Sequence, residues 1–188
     1  VDNVGFDGDD ELAGPAAHLG VALQTTDGAT VTNSAFEGFS TAALSGQGNL
    51  TVTNNTVDNA MGGGIAAVVG DGQTATIADN DIDINGSALP VPDIFVPGGA
   101  PPLENLPVEN GGIGVLGSGE AVIANNSIDG AATNASVGIG VLGSLDADIR
   151  ESTIANATIG VGALTSGFIQ PSGAETATIP MGGASVNV

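Results

Sequence analysis

The chain has 188 residues and a formal net charge of −20, because 21 Asp and Glu side chains are opposed by Arg150 alone. Such a charge repels nucleic-acid phosphates and anionic lipids, and no apolar run reaches the roughly 20 residues of a membrane span, so neither nucleic-acid binding nor membrane insertion is expected. The absence of cysteine excludes disulfides and thiolate metal sites. The length fits one domain, residues 1–188.

Residues 1–19 show no regular pattern and are predicted to be an irregular segment that caps one end of the domain. The run from Asp7 to Glu11 contains four carboxylates, Asp9 among them, and oxygen-rich sets of this kind favour hard cations such as calcium. His18 lies among small apolar residues, where a structural role is expected rather than catalysis.

Residues 20–84 and 112–164 carry a repeated unit that predicts stacked β-strands. Its most regular part is an aliphatic residue followed five positions later by another apolar residue. The five copies are Val31–Phe36, Val52–Val57, Ile77–Ile82, Ile123–Ile128 and Ile149–Ile154, and they begin 21, 25, 46 and 26 residues apart. A period in the low twenties is typical of a solenoid, in which each unit buries its apolar face against the next.

A second strand is predicted upstream of each copy, where a small residue precedes alternating apolar positions. Its spacing predicts two further apolar columns. The first contains Val21, Ala42, Ile65, Ile113, Ile139 and Val161, and the second contains Leu23, Leu44, Ala67, Val115, Val141 and Ala163. Short alternating strands and Gly-rich corners therefore predict an all-β parallel solenoid of about five to seven turns, which we call rungs.

Residues 85–111 interrupt the repeat. They hold six of the nine prolines, and because proline cannot donate to a strand ladder, a long loop that leaves the cylinder is predicted. Its apolar centre, Ile94, Phe95 and Val96, is either a tolerated surface insertion or a docking site for a partner. Residues 165–188 are predicted to form a degenerate last turn and a terminal strand.

The step Ile-x-Asn-Asn-x-Ile followed by Gly-Ile-x-Val resembles the repeat of the right-handed parallel β-helix family of pectate-lyase-like proteins. The resemblance covers residues 20 to 164 apart from the insertion. It implies a right-handed parallel β-helix in which Asn55, Asn80 and Asn126 stack as an asparagine ladder. Because Asn tolerates the left-handed conformation of a sharp bend, we expect these three residues to adopt it.

Polysaccharide lyases and glycoside hydrolases are the enzymes that the resemblance implies, with catalytic groups in a groove and often with calcium. The carboxylates that fit are Asp79, Asp81 and Asp83, whose alternation suits either glycoside hydrolysis or calcium binding. No Trp or Tyr is present to provide a sugar-binding platform, which weakens the enzyme interpretation.

Other surface features are predicted from composition and short motifs. Asp outnumbers Glu 14 to 7 and Lys is absent, a composition that resembles haloarchaeal proteins. Arg150 is expected to form a surface ion pair with Asp148 or Glu151. Asn-x-Ser/Thr sequons predict glycosylation at Asn49, Asn54, Asn85, Asn125, Asn134 and Asn156.

Taken together, these features favour a non-enzymatic structural or adhesive protein, outside the cell or on its surface, such as a subunit of a filament, sheath or viral fibre. Self-association is expected through the ends of the β-helix, where strand edges need a cap or a neighbour, or through the Pro-rich loop. A glycan or another surface component is the other expected partner. The alternative is a carbohydrate-active enzyme or a glycan-binding module.

Overall fold

The structure, a computed structural model, describes residues 1–7, 19–24, 28–39, 42–60, 63–84, 110–130, 136–143, 145–164 and 186–187. These residues form strands and no helix, so no helix among them is long and apolar enough to cross a membrane. The strands are β1 (Gly5–Asp7), β2 (Leu19–Gln24), β3 (Ala29–Thr32), β4 (Ala35–Glu37), β5 (Ala42–Gln47), β6 (Leu50–Thr53), β7 (Thr56–Ala60), β8 (Gly63–Val69), β9 (Thr74–Ala78), β10 (Asp81–Ile84), β11 (Asn110–Gly117), β12 (Glu120–Ala124), β13 (Ser127–Gly130), β14 (Ser136–Gly143), β15 (Asp146–Arg150), β16 (Thr153–Ala155), β17 (Ile159–Leu164) and β18 (Val186–Asn187).

The strands assemble into three parallel sheets of six strands each. Sheet A contains β3, β6, β9, β12, β15 and β18; sheet B contains β1, β4, β7, β10, β13 and β16; sheet C contains β2, β5, β8, β11, β14 and β17. Every strand pairs with the strand that occupies the same place one rung away, so the chain winds as a parallel β-helix of about six rungs, as predicted. Neighbouring rungs are about 4.8 Å apart.

The core is a set of apolar columns that run along the cylinder. Val31, Val52, Ile77, Ile123 and Ile149 are paired in sequence in sheet A, and each is at most 2% exposed. The column that begins at Phe36 in sheet B also has the predicted members, and Phe6 of β1 extends it by one rung. The Phe6 and Phe36 rings stack with their centroids 4.9 Å apart. Like side chains therefore stack on like, which confirms both columns.

In sheet C the prediction for the second rung was wrong by two residues. Leu44, not Ala42, pairs with Val21 and Ile65, and Gly46 stands where Leu44 was expected, between Leu23 and Ala67. A shift of two keeps the same side chains facing inward, because the strand period is two. Leu50 explains the change, since a Cβ built on Gly46 would lie 2.6 Å from Leu50 Cδ1.

The three corners of the rungs differ in how much their length varies. Between sheets A and B the strands are separated by two residues in each of five rungs: Asn33-Ser34, Asn54-Asn55, Asp79-Asn80, Asn125-Asn126 and Glu151-Ser152. The corner between sheets C and A has two residues after β5 and four after β8. The corner between sheets B and C ranges from residues 61–62 to residues 85–109. Only the corner from A to B is constant.

Both ends of the chain contribute to the sheets. Within the segment expected to be irregular, Gly5–Asp7 forms β1 and pairs with Ala35–Glu37, while Asp2 bridges to Thr32. The first residues thus form part of an additional rung. At the other end, β18 pairs with β15.

Candidate functional surfaces

The asparagine ladder lies inside the corner between sheets A and B. Asn55, Asn80 and Asn126 are each 2% exposed. The Oδ1 atom of Asn80 accepts the backbone N–H and the Nδ2 of Asn55, both at 3.0 Å, and Asn126 Oδ1 does the same for Asn80 at 3.1 and 3.0 Å. The Nδ2 of Asn80 also donates to Val52 O at 3.0 Å. Each amide therefore holds two rungs in register, and these buried polar groups are satisfied.

Serine hydroxyls terminate this ladder at both ends. The Oγ of Ser152 accepts the backbone N–H of Asn126 at 3.2 Å, and the Oγ of Ser34 accepts the backbone N–H of Val4 at 3.3 Å. Each hydroxyl in turn donates to a carbonyl of its own rung, Arg150 O and Thr32 O respectively. A hydroxyl replaces the acceptor of an amide but not its two donors, so the amide chain stops there.

The bend at this corner is made by the residue before each ladder position, which corrects the predicted role of the ladder asparagines. Positive φ angles of 52° to 58° occur at Asn33, Asn54, Asp79, Asn125 and Glu151. None of the three ladder asparagines has a positive φ. Asn and Asp adopt this region more readily than other side chains, because their short polar groups bond locally. Bending and stacking are thus separate tasks of two adjacent residues.

Four of the six sequon asparagines lie among the described residues. Asn54, Asn125 and Asn156 are exposed, and the Nδ2 of each donates to a neighbouring rung: to Asn33, to Asp79 at 2.5 Å and to Asp129 at 2.7 Å. Asn49 is half-buried and its Oδ1 accepts the N–H of Thr74 at 2.9 Å. Asn85 and Asn134 lie outside the described residues. Glycosylation of the six asparagines stays a prediction.

A row of carboxylates follows the outer face of sheet B, and we call it the acidic row. The strand register pairs Asp7 with Glu37 and Glu37 with Asp58, and further along it pairs Asp83 with Asp129. Glu37, Asp58, Asp83 and Asp129 are exposed, so like charges are stacked about one rung spacing, ~4.8 Å, apart. The sequence contained a signal that was missed, because in four copies the closing apolar residue is followed directly by an acid.

Asp83 is the perturbed member of this row. Partial burial raises the pKa of Asp83 above its usual value, and the carboxylates of Asp129 and Asp58 add to the effect. Burial and like charge both disfavour the ionised form. The carboxylates of the acidic row therefore repel one another at β10.

The predicted calcium ligands do not converge among the described residues. Asp81 and Asp83 project from the outer face of β10, two residues apart, and Asp79 lies in the preceding bend. Within the described part of the chain, no three His, Cys, Asp or Glu side chains are grouped so that they could hold a metal ion. The side chain of Asp7 and all of Asp9 lie outside the described set. Calcium binding at these five residues stays a prediction.

The outer face of sheet A carries threonine and the one ion pair between described side chains. Thr30, Thr51 and Thr76 are stacked in register. Arg150 Nη1 lies 2.6 Å from Asp148 Oδ2, and both side chains are largely exposed, which confirms the predicted surface pair.

A shallow depression of about 330 Å³ lies at the corner between sheets C and A. It is lined by Gly72, Thr74, Ser118, Gly119, Glu120 and Asp146. Glu120 and Asp146 occupy equivalent positions on adjacent rungs, and Thr74 Oγ1 donates to Glu120 Oε2 at 3.4 Å. None of the predicted site residues lies in it.

Several predicted features fall outside the described residues: His18, the loop centre Ile94, Phe95 and Val96, and most of the Pro-rich segment. Of the aromatic residues that are described, Phe36 and Phe39 are buried at 1% and 6% exposure and Phe6 packs against the core. They form no exposed sugar-binding platform. A scan against protein-family models and searches of curated proteins and of solved structures found no match for this chain.

Proposed function

We propose that this chain is a non-enzymatic structural or adhesive β-helix protein that acts outside the cell or on its surface, as a subunit of a filament, sheath or viral fibre. The observation that carries the proposal is the role of the polar side chains that are buried in the interior. The buried polar side chains among the described residues, Ser34, Asn55, Asn80 and Asn126, all hold rungs together. The chemistry of the interior is therefore that of a scaffold.

The outer surface supports the same proposal. The threonine row and the acidic row repeat from rung to rung, as suits a surface that meets a partner over an extended length. The one depression reported above is shallow and polar. Membership in the pectate-lyase-like superfamily and an origin in a salt-rich environment belong to this proposal, supported by the ladder and by the net charge of −20.

Negative-stain electron microscopy of the purified protein at low and high salt tests the assembly part. Filaments or regular end-to-end arrays support it, whereas uniformly single particles in both conditions contradict it. Treatment with a glycosidase that removes N-linked glycans, followed by mass spectrometry of protein from its native source, tests the predicted glycosylation and the surface location. An unchanged mass speaks against both.

The second candidate is a carbohydrate-active enzyme, favoured by the raised pKa of Asp83 beside Asp129. A carboxyl with a raised pKa beside a second carboxyl is the arrangement used in glycoside hydrolysis. Screening against acidic and neutral polysaccharides, with Asp79, Asp81 and Asp83 changed one at a time to Asn, separates the two candidates. Activity that disappears in Asp83→Asn but survives in Asp79→Asn would favour the enzyme.

Calcium is the cation that we propose for the acidic residues, with Asp81 and Asp83 as its best-placed described ligands. Exposed carboxylates supply the oxygen donors that calcium prefers. Calorimetric titration with calcium chloride in a background of potassium chloride measures binding directly. Heat that is the same for the wild type and for the Asp81→Asn, Asp83→Asn double variant would assign any binding to nonspecific screening.

A further inference from the structure

Five exposed asparagines share a left-handed backbone but differ in what holds the N–H of the residue that follows. Their φ angles lie between 52° and 58°, and they are Asn3, Asn33, Asn54, Asn125 and Asn156. Because the five backbones are alike, the hydrogen bond of the next N–H is the feature that distinguishes them. That N–H is the nucleophile when an asparagine reacts with its own backbone.

The reaction is spontaneous deamidation. The backbone nitrogen of the next residue attacks Cγ of the asparagine, so a bond from that nitrogen to Cγ forms and the bond from Cγ to Nδ2 breaks. Nδ2 leaves as ammonia with the proton that the attacking nitrogen loses, and water then opens the cyclic imide to aspartate or isoaspartate. A hydrogen bond donated by the attacking N–H opposes both its deprotonation and its turn towards the side chain.

In the first four asparagines, the ladder and its serine ends hold this nucleophile. The N–H of Asn55 donates to Asn80 Oδ1 at 3.0 Å inside the corner, whereas the side chain of Asn54 is exposed outside it. The other three N–H groups donate to ladder oxygens in the same way, at 3.0 Å for Ser34, 3.2 Å for Asn126 and 3.3 Å for Val4. The nucleophile and the amide carbon are therefore kept on opposite sides of the backbone.

Asn156 is placed differently. The N–H of Ala157, which follows it, donates to no acceptor among the residues that the structure describes. The Nδ2 of Asn156 donates to Asp129 Oδ1 at 2.7 Å, and a neighbouring carboxylate favours the protonated form of a leaving nitrogen. We propose that Asn156 is a site of spontaneous deamidation, and that the ladder preserves the amides at the corner between sheets A and B.

The product would change the charge beside the acidic row. A carboxylate at position 156 replaces the amide that donates to Asp129, so a hydrogen bond gives way to repulsion between like charges. Asp129 is itself the register partner of Asp83. Deamidation therefore adds one negative charge to a surface that already holds stacked carboxylates. This inference concerns the chemistry of one surface residue and does not depend on the proposed function.

The test is incubation in mildly alkaline buffer of protein made in a host that adds no N-linked glycans, followed by digestion at acid pH and mass spectrometry. Each rate is divided by that of the same asparagine in a synthetic peptide of the same local sequence, which removes the intrinsic effect of the next residue. The relative rate at Asn156 should exceed those at Asn33, Asn54 and Asn125 by at least about fivefold, the factor that one net hydrogen bond is worth. Equal relative rates at the four positions would overturn the proposal.

Variants of Asn80 test the protective role of the ladder. Asn80→Ala removes the acceptor of the Asn55 N–H, so deamidation at Asn54 should accelerate by a similar factor, whereas the hydroxyl of Asn80→Ser should keep most of the protection. Gly117→Ala is the matched control, because it strains a different corner and leaves that N–H bonded. Equal acceleration at Asn54 in Gly117→Ala would reject the protective role. The comparison within the wild type decides the site even if Asn80→Ala fails to fold.

A substitution that mimics the product tests the change of charge. Asn156→Asp should lower the urea midpoint at low salt, and the loss should disappear in an Asp129→Asn background, because the repelling partner is then neutral. Circular dichroism checks that each variant keeps its strands. A loss of the same size in the Asp129→Asn background would reject the repulsion between these two positions.

Discussion

Replacement of Asn80 by alanine is the sharpest test of the ladder, because Asn80 has a ladder neighbour on both sides. The substitution removes the acceptor of the Asn55 backbone N–H, which is buried at the A–B corner. It also removes the bonds to Asn55 Nδ2, Asn126 Oδ1 and Val52 O. Asn55 Nδ2 keeps its bond to Val31 O, so the backbone N–H is the group left without a partner.

The magnitude follows from these losses. A buried donor without a partner costs about 1–3 kcal/mol, and each net hydrogen bond is worth about 0.5–1.5 kcal/mol. We therefore expect Asn80→Ala to lower the free energy of unfolding by about 3–5 kcal/mol, a large part of the ~5–15 kcal/mol that stabilises a typical domain. Asn80→Ser should lose less, because Ser152 Oγ, in the equivalent position two rungs away, already accepts the backbone N–H of Asn126.

Urea unfolding followed by far-ultraviolet circular dichroism measures this order. Urea is preferable to guanidinium chloride, because a denaturant that is itself a salt would change the screening of the acidic row. Fluorescence is unsuitable since the chain has no Trp and no Tyr. Asn54→Gly is the matched control: Asn54 is exposed, has a φ of 57° that glycine also adopts, and should change stability by less than about 0.5 kcal/mol. A loss below ~1 kcal/mol for Asn80→Ala, or serine no better than alanine, would refute the reasoning.

Three further results are expected. Gly117→Ala should lower the free energy of unfolding in urea by more than about 3 kcal/mol, because Gly117 has a φ of 143° and an added Cβ would clash with Val69 O. Gly114→Ala should be nearly neutral, because an added Cβ there would meet nothing within 4 Å. Equal effects of the two substitutions would contradict the structure. Asp83→Asn should raise the urea midpoint at low salt, since two stacked charges ~4.8 Å apart in water repel by about 1 kcal/mol, and this gain should disappear near 1 M KCl. The pKa of Asp83 is raised in the folded state, so protonation of Asp83 stabilises the fold. The wild type should therefore gain stability relative to Asp83→Asn as the pH falls through the folded-state pKa. Parallel stability profiles of the two proteins against pH would exclude a role of Asp83 protonation.

Most of the fold could be predicted from the sequence because the repeat is a direct record of stacking. The spacing between Val52 and Val57 recurs at Ile77 and Ile82, and the structure pairs these residues one rung apart. The error at Ala42 had a physical cause: an upstream strand of small residues has several registers of similar pattern. Only the packing of Leu50 above Gly46 distinguishes them, and that contact joins two different sheets.

The surfaces were harder to predict than the core. The acidic row requires that Glu37 and Asp58 project from the same face, which follows from the repeat once the strands are aligned. The outer face of sheet C was not predicted, because its residues, such as Gly114 and Leu116, were interpreted only for their inward neighbours. The period of the repeat identifies the side chains that a strand buries. Which side chains lie next to one another on the outer face depends on the register between neighbouring rungs.

The three corners imply an unequal tolerance to changes in chain length. Asn80 and Asn126 are 46 residues apart, yet they bond at 3.0 Å as adjacent rungs do, although residues 85–109 lie between them in sequence. In evolution, insertions at the corner between sheets B and C would leave the ladder untouched, whereas one added residue between sheets A and B would remove an asparagine from it. The same asymmetry recommends the position after Ile84 for displaying a foreign peptide on a rigid cylinder.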